Sequence, residues 1–177
     1  ARCCRAGGFD VAIPASPPGA VQRRHIAGLV PYQNAVWALR ITGADLRRRL
    51  EKAAEVFAPL GSATGPLLDP CRPPFHCDTI YGVTYAIDPQ RPRGARITAL
   101  SWQGVPVEPD QQFLLATNQF RAAGGGGFDR TPIADVALRS PLPLTDALIA
   151  ALATGPDHPL SLIPVSYTHL RAHETDS

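Results

Sequence analysis

The sequence predicts an α/β fold, on three observations. A strand-like run at residues 35–41 leads directly into a capped amphipathic helix. Short apolar segments bounded by turn residues then follow one another from residue 83 to residue 117, and helical composition returns at residues 145–153. With 177 residues the chain is long enough for one domain that buries about two thirds of the surface its unfolded form exposes.

Residues 1–28 read as irregular, because Pro14-Ala15-Ser16-Pro17-Pro18-Gly19 excludes both helix and central strand. Ala35-Val36-Trp37-Ala38-Leu39-Arg40-Ile41 has the aromatic and β-branched content of a strand, with Trp37, Leu39 and Ile41 on one face. Thr42 with Asp45 three residues on is a helix start, since the two side chains satisfy free amides and the carboxylate complements the dipole. That helix is expected to run to about Phe57 and to be ended by Pro59. Leu46, Leu50, Ala53, Ala54 and Phe57 form its apolar face, while Arg47, Arg48, Glu51, Lys52 and Glu55 fall largely on the other. Arg47-Arg48-Arg49 therefore reads as part of a solvated face with mixed i,i+4 neighbours, rather than a converging phosphate cluster.

Residues 58–78 form a long connection rich in proline and glycine. It contains His76-Cys77-Asp78, whose adjacent side chains point to opposite sides of an extended chain, so structural roles are expected for all three. A strand at residues 83–87 is ended by Asp88-Pro89, and residues 96–102 and 105–107 flank Gln103-Gly104 as a hairpin. Phe113-Leu114-Leu115-Ala116-Thr117 has the length and boundaries of a buried strand. The helix at residues 145–153 carries Leu148, Ala151 and Leu152 on one side.

Composition narrows the function classes. Charged residues make up 18% and the formal net charge is +2, so no broad basic face points to duplex nucleic acid, and there is no acidic tail. No apolar run approaches the ~20 residues of a membrane helix. Cys3 and Cys4 are adjacent and Cys71 and Cys77 lie five residues apart, so neither pair has zinc-ribbon spacing. A Cys71–Cys77 disulfide is compatible with an oxidising compartment, but four scattered cysteines do not establish one. The first residues show neither an initiator methionine nor a signal peptide, and the chain has no methionine, so it is expected to begin inside a longer protein.

The candidate site follows the last expected strand. Residues 118–128 present one aromatic, Phe120, and then four consecutive glycines, Gly124 to Gly127, which cannot form a regular element. An aromatic beside a backbone that can come close to another group is a platform for a flat, polar ligand such as a nucleobase. The run lacks the Gly-Lys-Ser/Thr ending of a phosphate-binding P-loop. On the residues alone, the commoner case is that Phe120 is a core residue and the glycines a loose surface turn, since most aromatics are structural.

Thr117-Asn118-Gln119-Phe120-Arg121-Ala122-Ala123-Gly124-Gly125-Gly126-Gly127-Phe128 resembles the Thr-Asn-Asn-Tyr-Arg-Ala-Gly-Gly-Gly-Gly-Gly-Phe segment of the C-terminal domain of periplasmic 2',3'-cyclic-nucleotide 2'-phosphodiesterase/3'-nucleotidases, members of the 5'-nucleotidase family. Phe75 to Tyr85 is similar to that family's Tyr-Asn-Phe-Asp-Val-Ile-Asp-Gly-Val-Thr-Tyr, and Val107-Glu108-Pro109-Asp110-Gln111 to its Val-Asp-Pro-Asp-Gln turn. Arg5-Ala6-Gly7-Gly8 is similar to its Lys-Ala-Gly-Gly element. Tyr32-Gln33-Asn34 is similar to its Tyr-Pro-Asn or Phe-Gly-Asn, with Gln33 as the departure.

The resemblance implies an α+β-type layered sandwich of mixed sheets with flanking helices. It implies Tyr32 and Phe120 as two rings holding a base, Asn34 as its hydrogen-bond partner, and Asn118, Gly124, Gly125 and Gly126 as further substrate-binding positions. Two rings about 7 Å apart, twice the ~3.5 Å contact distance, hold a planar base from both sides. Gly126 stands where the 5'-nucleotidase branch has an acidic residue for the ribose, so that contact does not carry over. No cofactor is expected in this stretch. The resemblance implies two divalent metal ions in an N-terminal metallophosphoesterase domain of the same chain, and a periplasmic or secreted location. The alternative is a non-catalytic α/β binding or structural module.

Residues 165–177, from Val165-Ser166-Tyr167-Thr168-His169-Leu170-Arg171-Ala172-His173 onward, resemble an in-frame translation of a transposon-end sequencing adapter. The i,i+4 histidines His169 and His173 are therefore not read as a metal site, and the domain is taken as residues 1–164.

Overall fold

The computed structural model describes residues 22–58 and 67–153. The expectations placed on Cys3 and Cys4, residues 5–8, the proline segment at 14–19, Pro59 and the tail at 165–177 lie outside the described residues.

The strand β1 (Ala35–Thr42) passes into the helix α2 (Gly43–Ala53) through a reciprocal cap. The Thr42 hydroxyl accepts from the Asp45 N–H (3.1 Å), and the Asp45 carboxylate accepts from the Thr42 N–H (2.8 Å). Gly43 sits against the turn at Val107 and Glu108, where an added methyl would collide with the Glu108 carbonyl. The helix closes with a 3₁₀ turn, Ala54–Val56.

Two three-stranded sheets flank this helix, and every strand pair among the described residues is antiparallel. The first has the order β5 (Gln112–Asn118), β1, β6 (Val136–Pro143). The second has the order β2 (Thr84–Ile87), β3 (Ile97–Trp102), β4 (Val105–Pro106). Leu46 of α2 packs with Leu39 and Ile41 of the first sheet, and Leu50 and Ala54 pack with Ile97 and Leu100 of the second. Ile80, Val83 and Val107 pack against both clusters and so make one continuous core. The result is the layered α/β sandwich with flanking helices that the sequence predicts.

The β3–β4 hairpin turns at Gln103 (φ 51°) and Gly104 (φ 81°), both in the left-handed region that a two-residue primed turn requires. A bulge interrupts β3. Thr84 pairs with Ser101 but Ala86 pairs with Thr98, so β3 carries one extra residue there, and Ala99 takes φ 51°. The bulge is why Ile97 and Leu100, three residues apart, both face the core.

The structure corrects the sequence reading in four places. A helix, α1 (Arg23–Leu29), occupies part of the stretch expected to be irregular; the prolines stop at Pro18 and do not return until Pro31, leaving room for two turns. Glu51 and Arg49 do not lie on a solvated face. Glu51 is buried and accepts from the first amides of the β3 segment, Arg96 N–H (2.9 Å) and Ile97 N–H (2.7 Å), while Arg49 is buried and donates to the Thr131 hydroxyl (2.8 Å). The 113–117 strand is not buried on both faces: β5 is an edge strand whose exposure alternates, with Leu114 68% exposed. The strand β6 has no counterpart in the sequence reading; its Pro141 and Pro143 sit on an edge strand, where proline is tolerated. The last helix, α4 (Leu144–Ala153), begins one residue before its expected start, and α1 packs against it.

Candidate functional site

The short helix α3 (Gln119–Ala122) begins where β5 ends. Asn118 caps it, its Oδ1 accepting from the Arg121 N–H at 2.8 Å. β1 and β5 run antiparallel with Val36 opposite Asn118. The chain entering β1, which carries Tyr32 and Asn34, and the chain leaving β5, which carries Phe120, therefore share one end of the sheet. Tyr32 is 66% exposed and Phe120 is 47% exposed, so neither ring is a core residue. Asn34 is half-buried, and its carbonyl accepts from the Leu144 N–H (2.8 Å) at the start of α4.

The glycines form a tight turn in which Gly124, Gly126 and Gly127 have φ of 93°, 73° and 75°. Two side chains lie on this turn. A methyl group at Gly125 would stand 2.5 Å from three ring carbons of Phe120, and one at Gly126 would collide with Arg121 Nη1. The turn thus needs glycine both for its dihedrals and because Phe120 and Arg121 lie directly against its backbone.

Arg121 organises the region. Its guanidinium is buried and takes Asp78 in a two-point pair, Nε to Oδ2 and Nη2 to Oδ1, each at 2.8 Å. Nη2 also donates to the Phe75 carbonyl (2.6 Å) and Nη1 to the Gly125 carbonyl (3.2 Å). The cation lies 5.5 Å from the Phe120 ring centre and 4.7 Å from that of Phe128. Arg121 carries no signal of this role in the sequence. Its partner lies 43 residues upstream, and no local pattern connects the two. The structural role expected for Asp78 is this pair.

His76 packs edge-on to Phe75, with ring centres 4.6 Å apart, beside Gly126. Burial pushes its pKa below the usual imidazole value, and the positive charges of Arg121, Lys52 and Arg72 push it further down. Cys77 is an exposed free thiol, so no disulfide joins it to Cys71. No group of three or more His, Cys, Asp or Glu side chains converges to hold a metal ion among the described residues, and the cations around His76 disfavour one there.

A cavity of about 520 Å³ opens at the same end of the sheet, bounded by Val36, Asn118, Asp78, Thr79 and Leu144; Tyr32 and Phe120 lie outside its lining. A second, of about 350 Å³, lies between α2 and the glycine turn, bounded by Arg48, Lys52, Gly127 and Asp129. Its cations are already engaged: Arg48 pairs with Asp45 and Asp129, and Lys52 with Glu55.

Residues 3–132 match the family described as 5'-nucleotidase, C-terminal domain. The trifunctional nucleotide phosphoesterase protein YfkN of Bacillus subtilis is 31% identical over 175 residues, which covers 87% of this chain and 12% of that protein. The 2',3'-cyclic-nucleotide 2'-phosphodiesterase/3'-nucleotidase of Salmonella typhimurium is 32% identical over 140 residues, 70% of this chain and 21% of that one. Among solved structures, a Staphylococcus aureus protein described as a 5'-nucleotidase superposes with a TM-score of 0.65 at 29% identity, over 76% of this chain and 27% of that chain. The chain therefore spans only a small part of the length of the relatives it matches. The family match takes in β1, α2, the strands of both sheets up to β5 and the glycine turn, and on that ground the chain belongs to the 5'-nucleotidase family, as its C-terminal domain.

Proposed function

We propose that this chain is the substrate-binding domain of a periplasmic or secreted two-metal phosphohydrolase acting on 2',3'-cyclic nucleotides and 3'-nucleotides, with the base stacked between Tyr32 and Phe120. The observation that carries the reading is the antiparallel β1–β5 pairing, which brings the segments bearing Tyr32, Asn34 and Phe120 to one end of one sheet while both rings stay exposed. The names of the Salmonella and Bacillus relatives support the substrate class. The two divalent metal ions of that chemistry belong, on this reading, to a separate metallophosphoesterase domain of the parent chain. The residues described here contribute binding and orientation only. Asn34 and Asn118 supply amide groups for the polar edges of the base and sugar, and Gly124 to Gly126 let the main chain come close to the ligand.

Titrating the purified chain with adenosine, followed by NMR, tests this. Each stacked face contributes roughly 1–3 kcal/mol, so Phe120→Ala and Tyr32→Ala are each expected to weaken binding by about fivefold or more. An unchanged Kd for either variant removes that ring from the site.

A further inference from the structure

We infer that Arg121, locked by Asp78, is a positioning residue that holds the partly exposed Phe120 ring as a stacking platform; this rests on the nucleoside-binding reading above. Two groups lie close to the ring. Gly125 lies against it closely enough that a methyl there would meet three ring carbons at 2.5 Å, and the Arg121 guanidinium lies 5.5 Å from its centre. These neighbours are joined to each other, because Nη1 of Arg121 donates to the carbonyl of Gly125 (3.2 Å). The ring therefore lies against a linked pair of one guanidinium and one peptide, and Phe120 stays 47% exposed.

Asp78 fixes that unit. The guanidinium is buried, so its charge needs a counter-charge, and the carboxylate meets it at two points with the planar fit that sets one orientation. The Phe75 carbonyl, at 2.6 Å, holds the same nitrogen from the other chain segment. Without the Asp78 charge, the buried cation is unpaired and its stable position moves toward solvent. Gly125 and the Phe120 ring then lose their support, although neither has been altered.

A double-mutant cycle on the full 177-residue chain, read by the Kd for adenosine, tests this. Asp78→Asn is expected to weaken adenosine binding about tenfold in the parent background and less than about twofold in the Phe120→Ala background, because its effect passes through the ring. Two outcomes overturn the inference: an Asp78→Asn Kd within about twofold of the parent while Phe120→Ala binds weakly, or an Asp78→Asn loss that persists in full without the ring. An unchanged Kd for Phe120→Ala instead overturns the nucleoside-binding reading itself. If thermal unfolding shows that Asp78→Asn does not fold, Arg121→Lys takes its place in the same cycle, since it keeps the buried charge and loses only the planar fork.

Discussion

At Gly126 a single methyl group separates two kinds of glycine requirement. The residue has φ 73°, and its added Cβ would strike Arg121 Nη1 and lie 3.2 Å from the His76 ring. Gly82 has φ 92° with open space around it, so substitution there meets only the backbone cost. Gly82→Ala is expected to cost about 1 kcal/mol and Gly126→Ala about 2–3 kcal/mol in chemical denaturation; equal costs would mean that the close approach of Arg121 does not constrain the turn. His76 carries a different prediction. Its folded pKa lies below the ordinary 6.5, from burial first and then from Arg121, Lys52 and Arg72. As pH falls through 6.5 the unfolded chain takes up the proton before the folded one does, so stability held above 6.5 is lost on acidification. Denaturation at pH 7.5 and at pH 5.5 is expected to show a smaller acid-induced loss for His76→Gln than for the parent chain.

At the level of elements, the C-terminal end of α2 is held by groups from the distant β3 segment. Glu51 satisfies the Arg96 and Ile97 amides, and the buried Arg96 guanidinium donates through Nη1 to the carbonyls of Ala54 and Phe57, both at 2.8 Å. Glu51→Ala leaves two buried amides unsatisfied and is expected to cost about 3–5 kcal/mol, measured as a shift of the denaturation midpoint. This exchange also marks the limit of what the sequence discloses. β1 and α2 were legible because their signals are local: Trp37, Leu39 and Ile41 on one face, then Thr42 and Asp45 three apart. The inward turn of Glu51 and Arg49 was not, because it depends on the amides and hydroxyl that another strand and loop bring to the helix. β3 misleads a period-two reading for the same reason, since the extra residue at Ala99 makes Ile97 and Leu100 the inward pair. Of the candidate site, the aromatic and the irregular glycine turn after it were readable from the sequence, while the exposure of Phe120 was not, because it depends on what packs around the end of β5. The Asp78–Arg121 pair that supports them spans 43 residues and leaves no trace in local pattern.

For the whole molecule, the proposed function assigns the two-metal chemistry to another domain of the parent chain, and that sets the expected behaviour of the isolated chain. We propose that it binds nucleosides weakly and hydrolyses no nucleotide; turnover of a 3'-nucleotide by the purified chain with added divalent metal would show otherwise. The core gives a way to look for its ligand. Residues 75–83 run between the sheets: Ile80 and Val83 pack against both hydrophobic clusters, while Asp78 and the Phe75 carbonyl grip Arg121 beneath the exposed ring. Occupancy at Phe120 and cohesion between the layers are thus coupled thermodynamically. A molecule that prefers the ordered ring raises the melting temperature of the entire domain, and at a hundred times its Kd the gain is about 2.7 kcal/mol. A thermal-shift survey of nucleosides would rank candidates by the heat the protein withstands, with no catalytic partner in the tube.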